Sequence, residues 1–156
     1  MGNIDDRIAK LGITLPEAQS PVANYVPSVR TGNLLYLSGL GPANRPDGSV
    51  PNGKLGQDLD TEQGYEAARL VGINMLARIK EALDGDFTKV KRVVKLLSMV
   101  NSTADFTEHP QVANGCSDLM TEVFGDNGKH ARSAVGMANL PGNIPVEIEV
   151  IIEVSD

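Results

Sequence analysis

The sequence predicts an α+β fold: one mixed β-sheet with two main helices packed on one of its faces. Strand-like segments stand before, between and after two long helical segments, an alternation that calls for a single layered sheet. The last strand alternates apolar and acidic residues with period two, so one of its faces is covered and the other is not. A chain of 156 residues supports one core and leaves little room for a second, so residues 1–156 are read as one domain.

Taken in order, Asn3 to Leu11 reads as a short helix with Ile4, Ile8 and Leu11 on one face. Pro16 and Pro21 make Leu15 to Ala23 a connector, and residues 1–23 an N-terminal extension. Asn24 to Arg30 reads as a strand. After the turn Thr31-Gly32-Asn33, Leu34 to Gly39 runs back along it as a β-hairpin. Gly39 and Gly41 mark a place where backbone approaches another group closely. Proline and glycine recur among polar residues from Pro42 to Gly56, which makes that stretch a long loop.

The clearest helix begins near Asp60, with Gln63 three residues on completing a capping box, and Asp84-Gly85-Asp86 stops it. Val90 to Val100 is rich in β-branched residues and reads as a strand. A second helix, Gln111 to Phe124, ends at Gly125. The final strands, Arg132 to Ala138 and Val146 to Val154, flank the turn Leu140 to Pro145, which predicts a second hairpin. Val146, Ile148, Val150, Ile152 and Val154 point to the helices; Glu147, Glu149, Ile151 and Glu153 point away. That second face is either solvated or turned toward another subunit.

Composition narrows the function. Twenty acidic against 14 basic residues give a net charge of -6, which argues against nucleic-acid binding by bulk electrostatics. No apolar run approaches the ~20 residues that span a bilayer, and no signal-like segment opens the chain, so a cytoplasmic protein without a membrane partner is expected. Cys116 is the single cysteine, which excludes an internal disulfide; on a helix it reads as a buried thiol, with a nucleophile as the alternative. His109 and His130 lack partners at metal-ligand spacing, so no metal is expected, and with no P-loop or dinucleotide fingerprint no cofactor is expected either. His109, before Pro110, fits a helix entry, and His130 is placed on the far strand face from Arg132.

Arg132 is the most informative polar residue. It alternates with Ala134, Gly136 and Ala138 on one strand face, which leaves space before a guanidinium fork suited to carboxylates. An ordinary salt-bridging arginine is the other reading. Glu147 is the candidate acid or base, with a solvated glutamate as its alternative. In a hairpin turning near Gly142, Glu147 falls about five residues from the partner of Arg132. At ~3.3 Å per residue the two meet only across a subunit boundary or around a strongly bent sheet.

The segment His130-Ala-Arg-Ser-Ala-Val-Gly-Met-Ala-Asn-Leu-Pro-Gly-Asn-Ile-Pro-Val-Glu-Ile-Glu149 resembles the C-terminal signature of the RidA/YjgF family. That signature is an Arg-Ser-x-Val strand, a Leu-Pro turn and a (V/I)-Glu-Ile-Glu strand. Tyr25-Val, Gly32-Asn33 and Ser38-Gly39 sit at the spacing of the family's N-terminal hairpin, and Val112-Ala-Asn114 matches its helix-borne asparagine. The resemblance implies a homotrimer of chorismate-mutase-like subunits with ligand clefts between them. It also implies a hydrolase, a 2-iminobutanoate/2-iminopropanoate-type deaminase that converts reactive 2-imino acids to 2-oxo acids and ammonia. Carried over by position, Arg132 clamps the carboxylate with help from the backbone at Gly39 and Ala134, Glu147 orients water, and Tyr25, Ser38 and Asn114 line the pocket. Ala134 stands where the best-known members have cysteine, and Leu40 where they often have glutamine, so the resemblance is to a divergent branch. Two other functions stay open. One is an endoribonuclease that inhibits translation, against which the charge counts. The other is a non-catalytic trimeric binder of small carboxylates, for which Arg132 alone suffices.

Overall fold

Asp60 opens the longest helix through a closed capping box: Gln63 N donates to the Asp60 carboxylate at 2.8 Å, and Asp60 N donates to Gln63 Oε1 at 2.9 Å. Backbone donors that a helix start leaves without partners are thereby satisfied. The computed structural model describes residues 3–18, 21 and 23–156. This helix, α2 (Thr61–Ala82), follows α1 (Ile4–Lys10), β1 (Ser28–Thr31) and β2 (Leu34–Leu40). After it come β3 (Val90–Asn101), α3 (His109–Phe124), β4 (Ala131–Met137) and β5 (Val146–Val154). Of the expected extension and connector, Met1, Gly2, Gln19, Ser20 and Val22 lie outside the described residues. The rest is tied to the body: Ile8 is buried, Arg7 Nη1 donates to the Val123 carbonyl at 3.0 Å, and Lys80 pairs with Asp5 at 2.7 Å. The fold is therefore α+β with three helices and a mixed sheet. Among the described residues no helix is long and apolar enough to cross a membrane.

The five strands run in the order β1-β2-β5-β3-β4, and only the β3–β4 pair is parallel. This corrects the expected C-terminal hairpin: β4 and β5 are not neighbours, because β3 lies between them. The reason is visible in the connections. A strand, a helix and a strand in succession, here β3, α3 and β4, let the helix cross over and set the strands parallel. Residues 138–145 then cross the end of β3 to reach its other side, too long a link for a tight hairpin. Asn101, at the end of β3, secures that crossing: its backbone N donates to Pro145 O at 2.9 Å, and Nδ2 donates to Ile144 O at 3.2 Å.

The first strand is shorter than expected, beginning at Ser28 rather than Asn24. Pro27 has no N–H for a ladder. The segment before it is held by Ser38 instead, whose backbone N donates to Pro27 O at 3.0 Å and whose Oγ donates to Val26 O at 2.7 Å.

The period-two reading of β5 holds throughout. Val146, Ile148, Val150, Ile152 and Val154 are buried beneath α2 and α3, with Leu96, Met75, Leu76, Ile79, Leu119 and Met120 completing the centre of the core. The two helices touch almost backbone to backbone, since a Cβ on Gly115 of α3 would collide with the Tyr65 carbonyl of α2. Cys116 is sealed in this contact, and burial pushes its thiol up to about 12, so it stays protonated and inert.

Candidate functional site

Arg132 sits on the edge strand β4 opposite Leu96, whose side chain faces the helices, so the arginine also rises on the helix side. There it meets α3. Nη1 donates to Asn114 Oδ1 at 2.8 Å and to Ser117 Oγ at 3.1 Å, and Nη2 donates to the Pro110 carbonyl at 3.4 Å. All three acceptors are neutral, and no carboxylate pairs with Arg132 among the described residues. Its Nε–H carries no partner there either. A guanidinium fixed on one side with its other edge unspent is built to take an anion. Ala134, two residues along, pairs with Ser98 and adds only a methyl group to the wall.

His130 belongs to the same cluster, which corrects its expected place on the far face. Positions two apart along an extended chain share a side. Its Nε2 lies 2.9 Å from Ser117 Oγ and its Nδ1 lies 2.6 Å from Gly128 O. Burial lowers its pKa below the ordinary histidine value, the Gly128 carbonyl opposes that shift, and the Arg132 charge adds to it. Ser117 was missed by sequence reasoning altogether, although it stands three positions from Asn114 and hence on the same helix face. His109 is the first residue of α3, as its position before Pro110 implied, and its Nε2 lies 3.1 Å from Ser102 Oγ.

Glu147 occupies a second cluster. It pairs with Met99 on the sheet face that the helices leave open. Across from it, β2 shifts register between Leu37 and Leu40, and Gly39 lies so close that a Cβ there would strike Glu147 Oε1. Half-burial raises the Glu147 pKa above the ordinary carboxylate range, and neighbouring Glu149 adds to the rise. Ser38 stands beside Gly39 and its hydroxyl ties down the exposed Tyr25 segment.

The chain thus brings Arg132 together with Asn114, and Glu147 together with Gly39. It does not unite the two pairs. Arg132 is level with Leu96 and Glu147 with Met99, on strands that flank β3 and on opposite faces of the sheet. Three residues along and two strands across put their Cα atoms about 14 Å apart.

Comparison with known proteins agrees with this architecture. The model of the YjgF/chorismate mutase-like endoribonuclease family matches residues 5–153. Protein TCP17 of Trypanosoma cruzi is 43% identical over 156 residues, covering 99% of this chain and 96% of that protein. The 2-iminobutanoate/2-iminopropanoate deaminase of Escherichia coli K12 is 31% identical, covering 89% of this chain and 94% of the enzyme. The crystal structure of Atu1372 from Agrobacterium tumefaciens, a protein of unknown function, superposes with a TM-score of 0.87 at 45% identity, covering 97% of this chain and 91% of that one. With the family model matched over nearly the whole chain, this protein belongs to the RidA/YjgF family.

Proposed function

We propose that the protein, acting as a single domain over residues 1–156, hydrolyses reactive 2-imino acids. Water adds to the C=N carbon, the C–N bond breaks, and a 2-oxo acid and ammonia leave. The observation that carries this reading is the Arg132 guanidinium, held by neutral acceptors and without a carboxylate partner among the described residues. It supplies a fixed charge for the substrate carboxylate. The imine carbon is already electrophilic, so placing water beside it provides much of the catalysis without a cofactor. Glu147, with a pKa raised by burial, is suited to orient that water and take its proton. Tyr25, Ser38, Gly39, Asn114 and Ala134 line the pocket in this reading.

Because one chain keeps Arg132 and Glu147 on opposite faces, the reading requires them to meet from different subunits of a homotrimer. The open sheet face supports such an assembly: Tyr36 and Val135 remain 42% and 37% exposed there. The E. coli relative named as a deaminase supports the chemistry. The Arg132 cluster by itself favours a second reading, a binder of small carboxylates that does no chemistry.

The test supplies 2-iminobutanoate from a threonine dehydratase and follows 2-oxobutanoate release. Wild type accelerates release, and Arg132→Ala and Glu147→Gln both abolish the acceleration. No acceleration by wild type refutes the deaminase. Binding of 2-oxobutanoate without turnover establishes the binder.

A further inference from the structure

Ser117 and His130 are not used by the proposed reaction, yet both lead to Arg132. Their hydrogen bonds can be directed one after another. Gly128 O only accepts, so His130 Nδ1, 2.6 Å away, carries a proton and donates. In the neutral ring Nε2 is then the acceptor, and the Ser117 hydroxyl, 2.9 Å away, donates to it. With its hydroxyl hydrogen directed at histidine, the Ser117 oxygen presents lone pairs to Arg132 Nη1 at 3.1 Å. Burial and the Arg132 charge both favour the neutral ring that this order requires, against the opposing Gly128 carbonyl. The other charges nearby are spent elsewhere: Lys129 pairs with Asp126, and Asp118 accepts from Tyr65.

We propose that Ser117 and His130 are positioning residues for Arg132. Through a one-way hydrogen-bond chain ending on the Gly128 carbonyl, they lock the guanidinium so that Nε–H and the Nη2 hydrogen not given to Pro110 face a carboxylate. Asn114 and Ser117 together occupy Nη1, so anion recognition falls to those two donors. The inference deepens the proposed function and rests on Arg132 holding the substrate carboxylate.

The full chain labelled with 15N-histidine contains two imidazoles, and a His109→Gln variant assigns them. At pH 7.5 His130 is expected as the Nδ1–H tautomer, and Ser117→Ala is expected to speed rotation of the Arg132 guanidinium in arginine 15N spectra. An Nε2–H tautomer, or unchanged rotation, overturns the inference whatever the protein turns over. With 2-iminobutanoate, Ser117→Ala raises KM about tenfold and changes kcat less than about twofold, as expected for one lost bond to a charged group. Ser117→Thr restores KM. Two histidine variants separate the relay from the loop contact. His130→Gln presents a carbonyl near the place of Nε2 and keeps KM within about threefold of wild type, whereas His130→Asn keeps only the bond to Gly128 and behaves like Ser117→Ala. Equal KM in the Gln and Asn variants overturns the inference. Failure of the deaminase reading looks different: wild type gives no acceleration. Calorimetric affinity for 2-oxobutanoate then replaces KM, and the tautomer and rotation results still decide.

Discussion

Replacing Gly39 by alanine puts a methyl group where Glu147 Oε1 now lies, with Cδ and Cγ of the same side chain 3.1 and 3.2 Å from the new carbon. The colliding atom is the far end of a flexible side chain, and the Gly39 backbone does not require a positive φ. Glu147 therefore gives way by changing rotamer, at a cost of about 1 kcal/mol in stability. Catalysis is far less forgiving. Displacing the carboxylate by an ångström or more from the water it orients costs on the order of 100-fold in kcat. Gly39 lines the pocket in the proposed reading, so the methyl group also raises KM for 2-iminobutanoate. KM rises by much less than kcat falls, because the Arg132 cluster of the same chain lies on the other face of the sheet and is not disturbed. The assay pairs thermal melting with continuous detection of 2-oxobutanoate. A Gly39→Ala protein that melts normally and keeps its full kcat refutes Glu147 as the group that orients water.

Three further outcomes follow from the same geometry. Gly115→Ala drives a methyl group into the Tyr65 carbonyl, which as backbone cannot yield, so denaturant melts should show a loss of about 3 kcal/mol or more, or no soluble protein. Because the Glu147 pKa is raised and its ionised form is required, kcat/KM falls as pH drops through that raised value; Glu149→Gln removes one cause and moves the acid limb to lower pH. The same rise means that ionised Glu147 opposes folding above its unfolded pKa, so Glu147→Gln should melt higher than wild type at pH 7 and lose that advantage toward pH 4.

Local signals carried most of the fold. Asp60 and Gln63 form the capping box that their spacing predicts, and β5 buries each residue its alternation assigned to the core. Strand order was harder to read, because it depends on which strand slips between β4 and β5, and nothing local to residues 138–145 encodes β3. Arg132 donates to Asn114 across the contact of β4 with α3, a meeting that packing makes and local sequence does not encode. Ser117 was not read from the sequence and His130 was expected on the wrong face: helix and strand periodicity holds the signal for both, but the distance between α3 and the start of β4 is a product of packing. Pro110 enters the site as a carbonyl, which side-chain reasoning has no means to find.

The placement of Arg132 and Glu147 on opposite faces of one sheet has a genetic consequence. In a ring where each cleft draws its arginine from one chain and its glutamate from the next, an Arg132→Ala subunit and a Glu147→Gln subunit are each inactive alone. Co-refolded in equal amounts, they complement. Random assortment gives about a quarter of the clefts both native residues, and activity returns from two dead parents. Co-expressed alleles of this protein are therefore expected to rescue or poison one another according to which half of the cleft each has lost.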